Sequence, residues 1–288
     1  MPYGIRNKGI NSIISDAKLR DFFYECDILG FYKFDTANDY GTADKRLTQL
    51  SKKSFLEKLD VCTKITLNFD STKGNGIAEK LFKELERISK RFNSRQLSNI
   101  LIHNGDDVLK TNCSLFVPIR ETILERFPSI KLGLSIYFFD TQLATKAKLF
   151  DVVQFPFSVA DRRFKNSLFS KKKKIFKQAR SIFLQGILID RKSRLLNPYF
   201  DRYSNYFKAF NEASLSMGLT ELEVCLGFVM SNKNVDEIIV GLRSVEQLHQ
   251  LIKAIEKVEP ILDQFKTLSP FFPEDPGLII PSNWSVSE

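Results

Sequence analysis

The chain has 288 residues, 43% of them hydrophobic, which is enough for a large buried core and excludes both a disordered polypeptide and a small module stapled by disulfides or metal. Lys and Arg number 43 against 34 acidic residues, a formal charge of +9; with 26 Phe and only 13 Gly, this bias fits an AT-rich coding composition as well as it fits an anionic partner. The four cysteines, Cys26, Cys62, Cys113 and Cys225, form no CxxC pair and have no neighbouring histidine to complete a zinc site, so they read as reduced, mostly buried thiols and no metal is expected.

The opening MPYGIRNKG lacks the apolar segment of a signal peptide, and no run approaches the roughly 18 apolar residues of a membrane span. A cytoplasmic chain is expected. Beyond it, short runs rich in Val, Ile and Phe recur, each followed by a longer charged stretch with helical spacing, the signature of βα units on a parallel sheet. Seven strands are predicted: Phe31–Thr36, Val61–Thr66, Asn99–His103, Lys131–Ser135, Asp151–Phe155, Ala179–Leu184 and Glu237–Gly241. Between the second and third, Ile77, Leu81, Leu85 and Ile88 share one face, which predicts a helix over Ile77–Phe92. Gly74 and Gly76 in the preceding STKGNG read as an ordinary turn. Near the far end, Thr220 followed three residues later by Glu223 predicts a capping box ahead of Val224, Cys225, Phe228 and Val229.

No Pro/Gly/Ser-rich linker interrupts residues 1–257, so residues 1–288 are expected to form one domain. After Pro260 the helical spacing dissolves into FKTLSPFFPEDPGLIIPSNW, whose prolines forbid a long helix, and residues 258–288 are expected to pack on the body as a tail. A doubly wound sheet would offer a glycine-rich turn after an early strand, and none is present. A (β/α)8 barrel is therefore favoured, with chemistry where strands end.

At the ends of three successive predicted strands stand Asp35 in FDTANDYG, Lys64 in VCTKIT and His103 in ILIHN, residues that an apolar core would not select. Singly, each has an ordinary explanation: Asp35 as a helix cap, Lys64 as a side chain reaching solvent, His103 as a satisfied buried polar group. Together on one barrel mouth they form a constellation. Tyr40, in the loop after Asp35, can enter the same cleft, where an adjacent ammonium would favour its phenolate and so make the phenol a better proton donor.

These segments, together with GLSIY, VVQFPFSVADRR, RSIFLQGIL and IIVGLRSVEQL, occur in an order that resembles the aldo-keto reductase family over roughly residues 3 to 257. The resemblance implies an NADPH-dependent reduction of an aldehyde or ketone on a (β/α)8 TIM barrel. It assigns Tyr40 as proton donor, Lys64 and Asp35 as the pair that tunes it, and His103 as the hydrogen bond that orients the substrate carbonyl. It also implies that Ser135 and Gln154 hold the nicotinamide carboxamide and that the loop beginning at Ser181 folds over the pyrophosphate. Gly241 would permit close approach, while Arg243 and Ser244 grip the 2′-phosphate with Gln247 nearby; a guanidinium fork suits a phosphate dianion.

Two positions depart from the family pattern: Ile136 follows Ser135 where Asn is frequent, and Leu251 replaces an Asn of the adenine-binding helix. The RSIFLQG loop resembles bacterial relatives of sugar and surface-glycan pathways, which hints at a sugar-like carbonyl. Lys171–Lys174 with Arg162, Arg163, Lys165 and Lys177 makes a basic patch without a nucleic-acid motif, read as a solvated helix end. The expected partner is a small-molecule carbonyl substrate, with no nucleic acid and no membrane, in a monomer or weak homo-oligomer.

In relatives sharing the YGIxNKG motif a further strand precedes it as the first of the barrel, whereas this chain starts at Met1-Pro2-Tyr3-Gly4. Seven of the eight strands are therefore expected, with Phe31–Thr36 and Glu237–Gly241 not joined by an internal eighth. Each buried backbone group left unpaired costs about 1–3 kcal/mol, so low solubility, weak cofactor binding and little activity are expected, with recovery when strand-forming residues are added at the N-terminus. The rival expectation is a non-catalytic or truncated barrel of the same shape with a regulatory or nucleotide-binding role.

Overall fold

The structure, a computed structural model, describes residues 13–67, 74–110, 116–138, 146, 149–166 and 174–284. Its strands are β1 (Lys33–Asp35), β2 (Asp60–Ile65), β3 (Leu97–Ile102), β4 (Lys131–Ser135), β5 (Val152–Pro156), β6 (Phe176–Arg180) and β7 (Glu237–Ile238). The seven are parallel and follow one another through the sheet in chain order. The main helices are α1 (Asp16–Ile28), α2 (Ala43–Leu50), α3 (Gly74–Arg91), α4 (Gly105–Lys110), α5 (Phe116–Arg126), α6 (Ser204–Ser216), α7 (Glu221–Met230) and α8 (Val245–Val258). Among the described residues, no single helix is long and apolar enough to cross a membrane. No strand joins β1 to β7 among them either, as the sequence led one to expect.

Backbone packing divides the chain into two compact units. The first takes Met1–Gln154, Lys174–Phe176 and Gly241–Gln247; the second takes Phe155–Lys173, Lys177–Val240 and Leu248–Glu288. In the first unit the ladder register pairs Asp35 with Cys62, Lys64 with Leu101, Leu101 with Gly133, Gly133 with Val152, and Ser135 with Gln154. Side chains two apart on a strand share a face. Cys62, Leu101 and Val152 form a buried cluster, closed by Phe176, and Lys64, His103, Ser135 and Gln154 each stand two residues further along their strands than Cys62, Leu101, Gly133 and Val152, toward the C-terminal ends. Gly133 keeps this cluster tight: a Cβ there would lie 1.9 Å from the Val152 carbonyl oxygen.

Local chemistry explains the helices. Ser15 caps α1 by accepting from Lys18 N, and Leu19, Phe22, Phe23 and Cys26 bury one face at helical spacing. The helix expected from Ile77 begins earlier, at Gly74, so Gly74 and Gly76 lie in the first turn of α3 and not in a free turn; Leu81, Leu85 and Ile88 are buried as the spacing requires.

In the second unit the Thr220–Glu223 capping box is present in both directions, Glu223 N on Thr220 Oγ1 at 3.3 Å and Thr220 N on Glu223 Oε2 at 2.7 Å. The strand expected at Ala179–Leu184 is displaced: β6 is Phe176–Arg180, and the apolar Ile182-Phe183-Leu184 run belongs to a tight turn. Its Lys177 and Gln178 look too polar for a buried strand, yet both are buried: Gln178 Nε2 donates to Glu237 Oε2, and the Lys177 backbone N–H donates to Asp236 Oδ2, whose charge also acts on the Lys177 ammonium. The expected basic patch also dissolves in part. Arg162 is buried, donating to the carbonyls of Val159, Leu268 and Ser269 and stacking on Phe228, while Arg163 pairs with Asp161. Residues 171–173 lie outside the described residues. The C-terminal segment is further held by Tyr199 on Gly277 O and Tyr203 on Asp275. Of the cysteines, Cys26, Cys62 and Cys225 are buried and form no disulfide among the described residues, and burial pushes the Cys26 thiol up to about 12; Cys113 lies outside the described residues.

Candidate active site

Parallel strands in register bring their C-terminal ends to one level, and the first unit uses this to collect the residues singled out above. Asp35 is the last residue of β1, Lys64 is in β2 and His103 follows β3, extending its ladder through His103 N on Ile65 O at 2.8 Å. Tyr40 lies in the loop between β1 and α2 and turns back through Tyr40 N on Ala37 O. Asn38 N on Lys64 O, at 3.1 Å, ties this loop to β2.

Lys64 does not reach for solvent. It is 1% exposed, and its Nζ donates to Asp35 Oδ2 at 2.5 Å and to Thr36 O at 3.0 Å. Burial alone would lower its pKa, but the charges of Asp35, Tyr40 and Cys62 and the Asp35 hydrogen bond outweigh it and hold the ammonium above the usual lysine range. The same Nζ lies over the Tyr40 ring, 5.2 Å from its centroid, and the ring meets His103 edge to face at 5.8 Å. The four residues therefore stand together: a permanent buried cation behind a partly exposed phenol, with an imidazole at its edge.

A polar network that periodicity did not reveal holds the Tyr40 loop. Asp44 of α2 is buried, accepts from Thr36 Oγ1 at 2.5 Å, and pairs with Arg87 and Arg91 of α3 at 2.5 and 3.3 Å. Arg87 also binds Glu84, which accepts from Asn38 Nδ2 at 2.7 Å. Both ends of the loop are thus anchored on one helix. Asp39, likewise not singled out in the sequence, accepts from Thr66 Oγ1 and stands 3.2 Å from His103 Nδ1. The signal available for both carboxylates was their place inside FDTANDYGTADKRL, beside Tyr40.

The residues expected to hold a cofactor are distributed as follows. Ser135 and Gln154 are buried register partners at the ends of β4 and β5, and Gln154 Nε2 donates to Asp35 Oδ1 at 2.9 Å, which links the two groups. Ile136 is fully buried, its side chain against Gly105 of α4. Ser244 Oγ accepts from Gln247 N and Gln247 Oε1 accepts from Arg243 N, so these two side chains cap α8 and set the backbone of Arg243. A Cβ on Gly241 would meet nothing within 4 Å, so the chain's own packing does not call for glycine there. In the second unit Ser181 has φ 58° and is followed by Leu184 at 47° and Gln185 at 54°, a left-handed run in non-glycine residues that costs energy and clusters at ligand-binding loops. Within the first unit, buried polar side chains at strand ends and the open backbone at Gly241 near Arg243 could hold part of a dinucleotide.

The sequence profile of the Aldo/keto reductase family matches residues 28–268. A search among curated proteins finds no match. Among solved structures, a putative aldo-keto reductase from Pseudomonas aeruginosa superposes with a TM-score of 0.64 at 16% identity, over 90% of this chain and 88% of its own. An aldo-keto reductase from Bacillus halodurans, in its apo form, gives 0.62 at 17% identity, over 87% of each chain. The fold class is that of the (β/α)8 barrels of this family, represented here by seven parallel strands.

Proposed function

The chain belongs to the aldo/keto reductase family, and from that premise we propose that it reduces an aldehyde or ketone to an alcohol with NADPH, using Tyr40 as proton donor. Membership makes it an oxidoreductase of the NAD(P)-dependent carbonyl-reducing kind. The observation that carries the finer reading is the fully buried Lys64, paired with Asp35 at 2.5 Å and lying over the Tyr40 ring.

A phenol near neutral pH gives up its proton slowly because the phenolate it leaves is costly. The Lys64 ammonium offsets that cost, and Asp35 and Thr36 O keep the ammonium in place behind the ring. His103, at the ring edge, donates to the carbonyl oxygen as negative charge builds there, and Tyr40 then protonates that oxygen. When bound, NADPH supplies the hydride that reaches the carbonyl carbon. Ser135 and Gln154 would hold its carboxamide, the Ser181 loop its pyrophosphate, and Gly241, Arg243, Ser244 and Gln247 its 2′-phosphate end. Gln154 would keep its amide nitrogen on Asp35 and present its oxygen. The RSIFLQG loop supports a sugar-like carbonyl substrate, and the buried thiols outside any disulfide support a reducing, cytoplasmic setting. We read residues 1–288 as one barrel domain acting as a monomer or weak homo-oligomer.

Tyr40→Phe tests the proposal. It keeps the ring and its contacts and removes only the hydroxyl. Aldehyde reduction is expected to be abolished while NADPH affinity, read by fluorescence titration, stays within about a few-fold. Turnover comparable to the parent protein would remove Tyr40 from its role.

A further inference from the structure

A neutral imidazole carries one N–H. At His103 this single proton cannot serve both sides of the ring, because Nδ1 stands 3.2 Å from Asp39 Oδ2. With the proton on Nδ1, that contact is a good hydrogen bond but Nε2 becomes an acceptor and cannot donate to a carbonyl oxygen. With the proton on Nε2, the Nδ1 lone pair faces a carboxylate. Only the imidazolium satisfies both sides at once.

We propose that Asp39 is a positioning residue for His103: its carboxylate holds an imidazolium through Nδ1, fixes the ring, and leaves Nε2–H as a charged donor for the substrate carbonyl oxygen. This rests on the reductase reading for the substrate, but the pairing itself does not. Asp39 is aimed by a second contact, since Thr66 Oγ1 donates to the same Oδ2 that meets the ring. Burial works to raise the Asp39 pKa, but the hydrogen bonds from Thr66 and His103 and the charges of His103 and Lys80 prevail and keep it below the usual carboxylate range. Tyr40 meets the ring edge to face, and Lys64 sits behind Tyr40 already paired with Asp35. Lys80 of α3 acts on Asp39. On the chain just beyond His103, Asp107 accepts from Asn104, and Asp106 accepts from the backbone N–H groups of Tyr137 and Phe138.

The test reads the ring directly. The chain holds two histidines, His103 and His249, and His249 is exposed on α8, so ¹⁵N spectra of the imidazole nitrogens of the full chain give two titrations, one of them an internal reference. Asp39→Asn keeps an acceptor oxygen and removes the charge. Because Asp39 is half exposed, the expected drop in the His103 midpoint is about half to one pH unit, with His249 unmoved; Thr66→Val is expected to give a smaller drop in the same direction. An imidazolium is present below its pKa and lost as pH rises through it. The kcat/KM for reduction of 4-nitrobenzaldehyde should therefore fall with rising pH, and in Asp39→Asn the fall should begin at lower pH by the same interval. An unchanged His103 midpoint in Asp39→Asn overturns the proposal, as does an activity loss that is uniform at every pH. Absence of turnover in the parent would refute the reductase reading, and the ring titration would still decide the role of Asp39.

Discussion

Replacing Lys64 with Met isolates the ion pair on which the site is built. Methionine fills a similar volume but leaves the Asp35 carboxylate, whose side chain is 15% exposed, with Gln154 Nε2 as its remaining partner in the pair's place. Removing one member of a buried pair costs about 3–5 kcal/mol, because the other is left charged and poorly solvated. The retained Gln154 bond and partial access to water put this case at the low end, about 3 kcal/mol, a sizeable part of the roughly 5–15 kcal/mol that stabilises a domain. For a chain of this size that corresponds to a fall in Tm of about 6–12 °C. The double variant Lys64→Met with Asp35→Asn leaves no charge behind and is expected to recover about half of the loss. Thermal and urea unfolding followed by circular dichroism at pH 7 would measure both. The pH dependence supplies a second check with a definite sign. The folded-state pKa of Lys64 lies above its unfolded value, so its contribution is fully present below about pH 10 and is lost as pH rises through the folded value. The gap between parent and Lys64→Met should thus be constant between about pH 7 and pH 10 and narrow above that range. A single variant within about 0.5 kcal/mol of the parent, or a double variant as unstable as the sum of the singles, would refute the reasoning.

Two further outcomes are expected. Arg243→Ala should weaken NADPH binding by about 10- to 100-fold while changing NADH little, since a charge-assisted hydrogen bond to phosphate is worth about 1.5–3 kcal/mol; fluorescence titration with both nucleotides reads this, and an unchanged ratio would mean that another residue recognises the 2′-phosphate. Gly227→Ala in α7 would set a Cβ 2.4 Å from the buried Phe265 ring, and overpacking of about 1–3 kcal/mol should exceed the roughly 1 kcal/mol that alanine gains in helix propensity. Its Tm is expected to fall and to recover partly in Gly227→Ala with Phe265→Leu; a Tm above the parent's would show that the ring moves aside freely.

What could be read from the sequence was what short windows contain. Alternation of apolar runs and helical spacing yields seven parallel strands in order, because burying one face needs only a local pattern. The Thr220–Glu223 box is equally local, both partners lying within one turn. Asp35, Lys64 and His103 stood out because each ends an apolar run with a residue that an apolar core would reject. The sequence could not say what those residues touch. The ladder between β1 and β2 and the register that pairs Ser135 with Gln154 decide that Gln154 reaches Asp35 and that Lys64 is buried. A slip of one residue would turn every one of these side chains to the opposite face. The same holds for residues that looked ordinary: Asp44 became a buried hub because α3 brings two arginines to it, and Arg162 left the surface because three carbonyls receive it. Gln178 misled the strand boundary for the same reason, since its side-chain partner Glu237 is distant in sequence. Burial of a polar group is tolerable only when a partner is present, and only the tertiary structure supplies that partner.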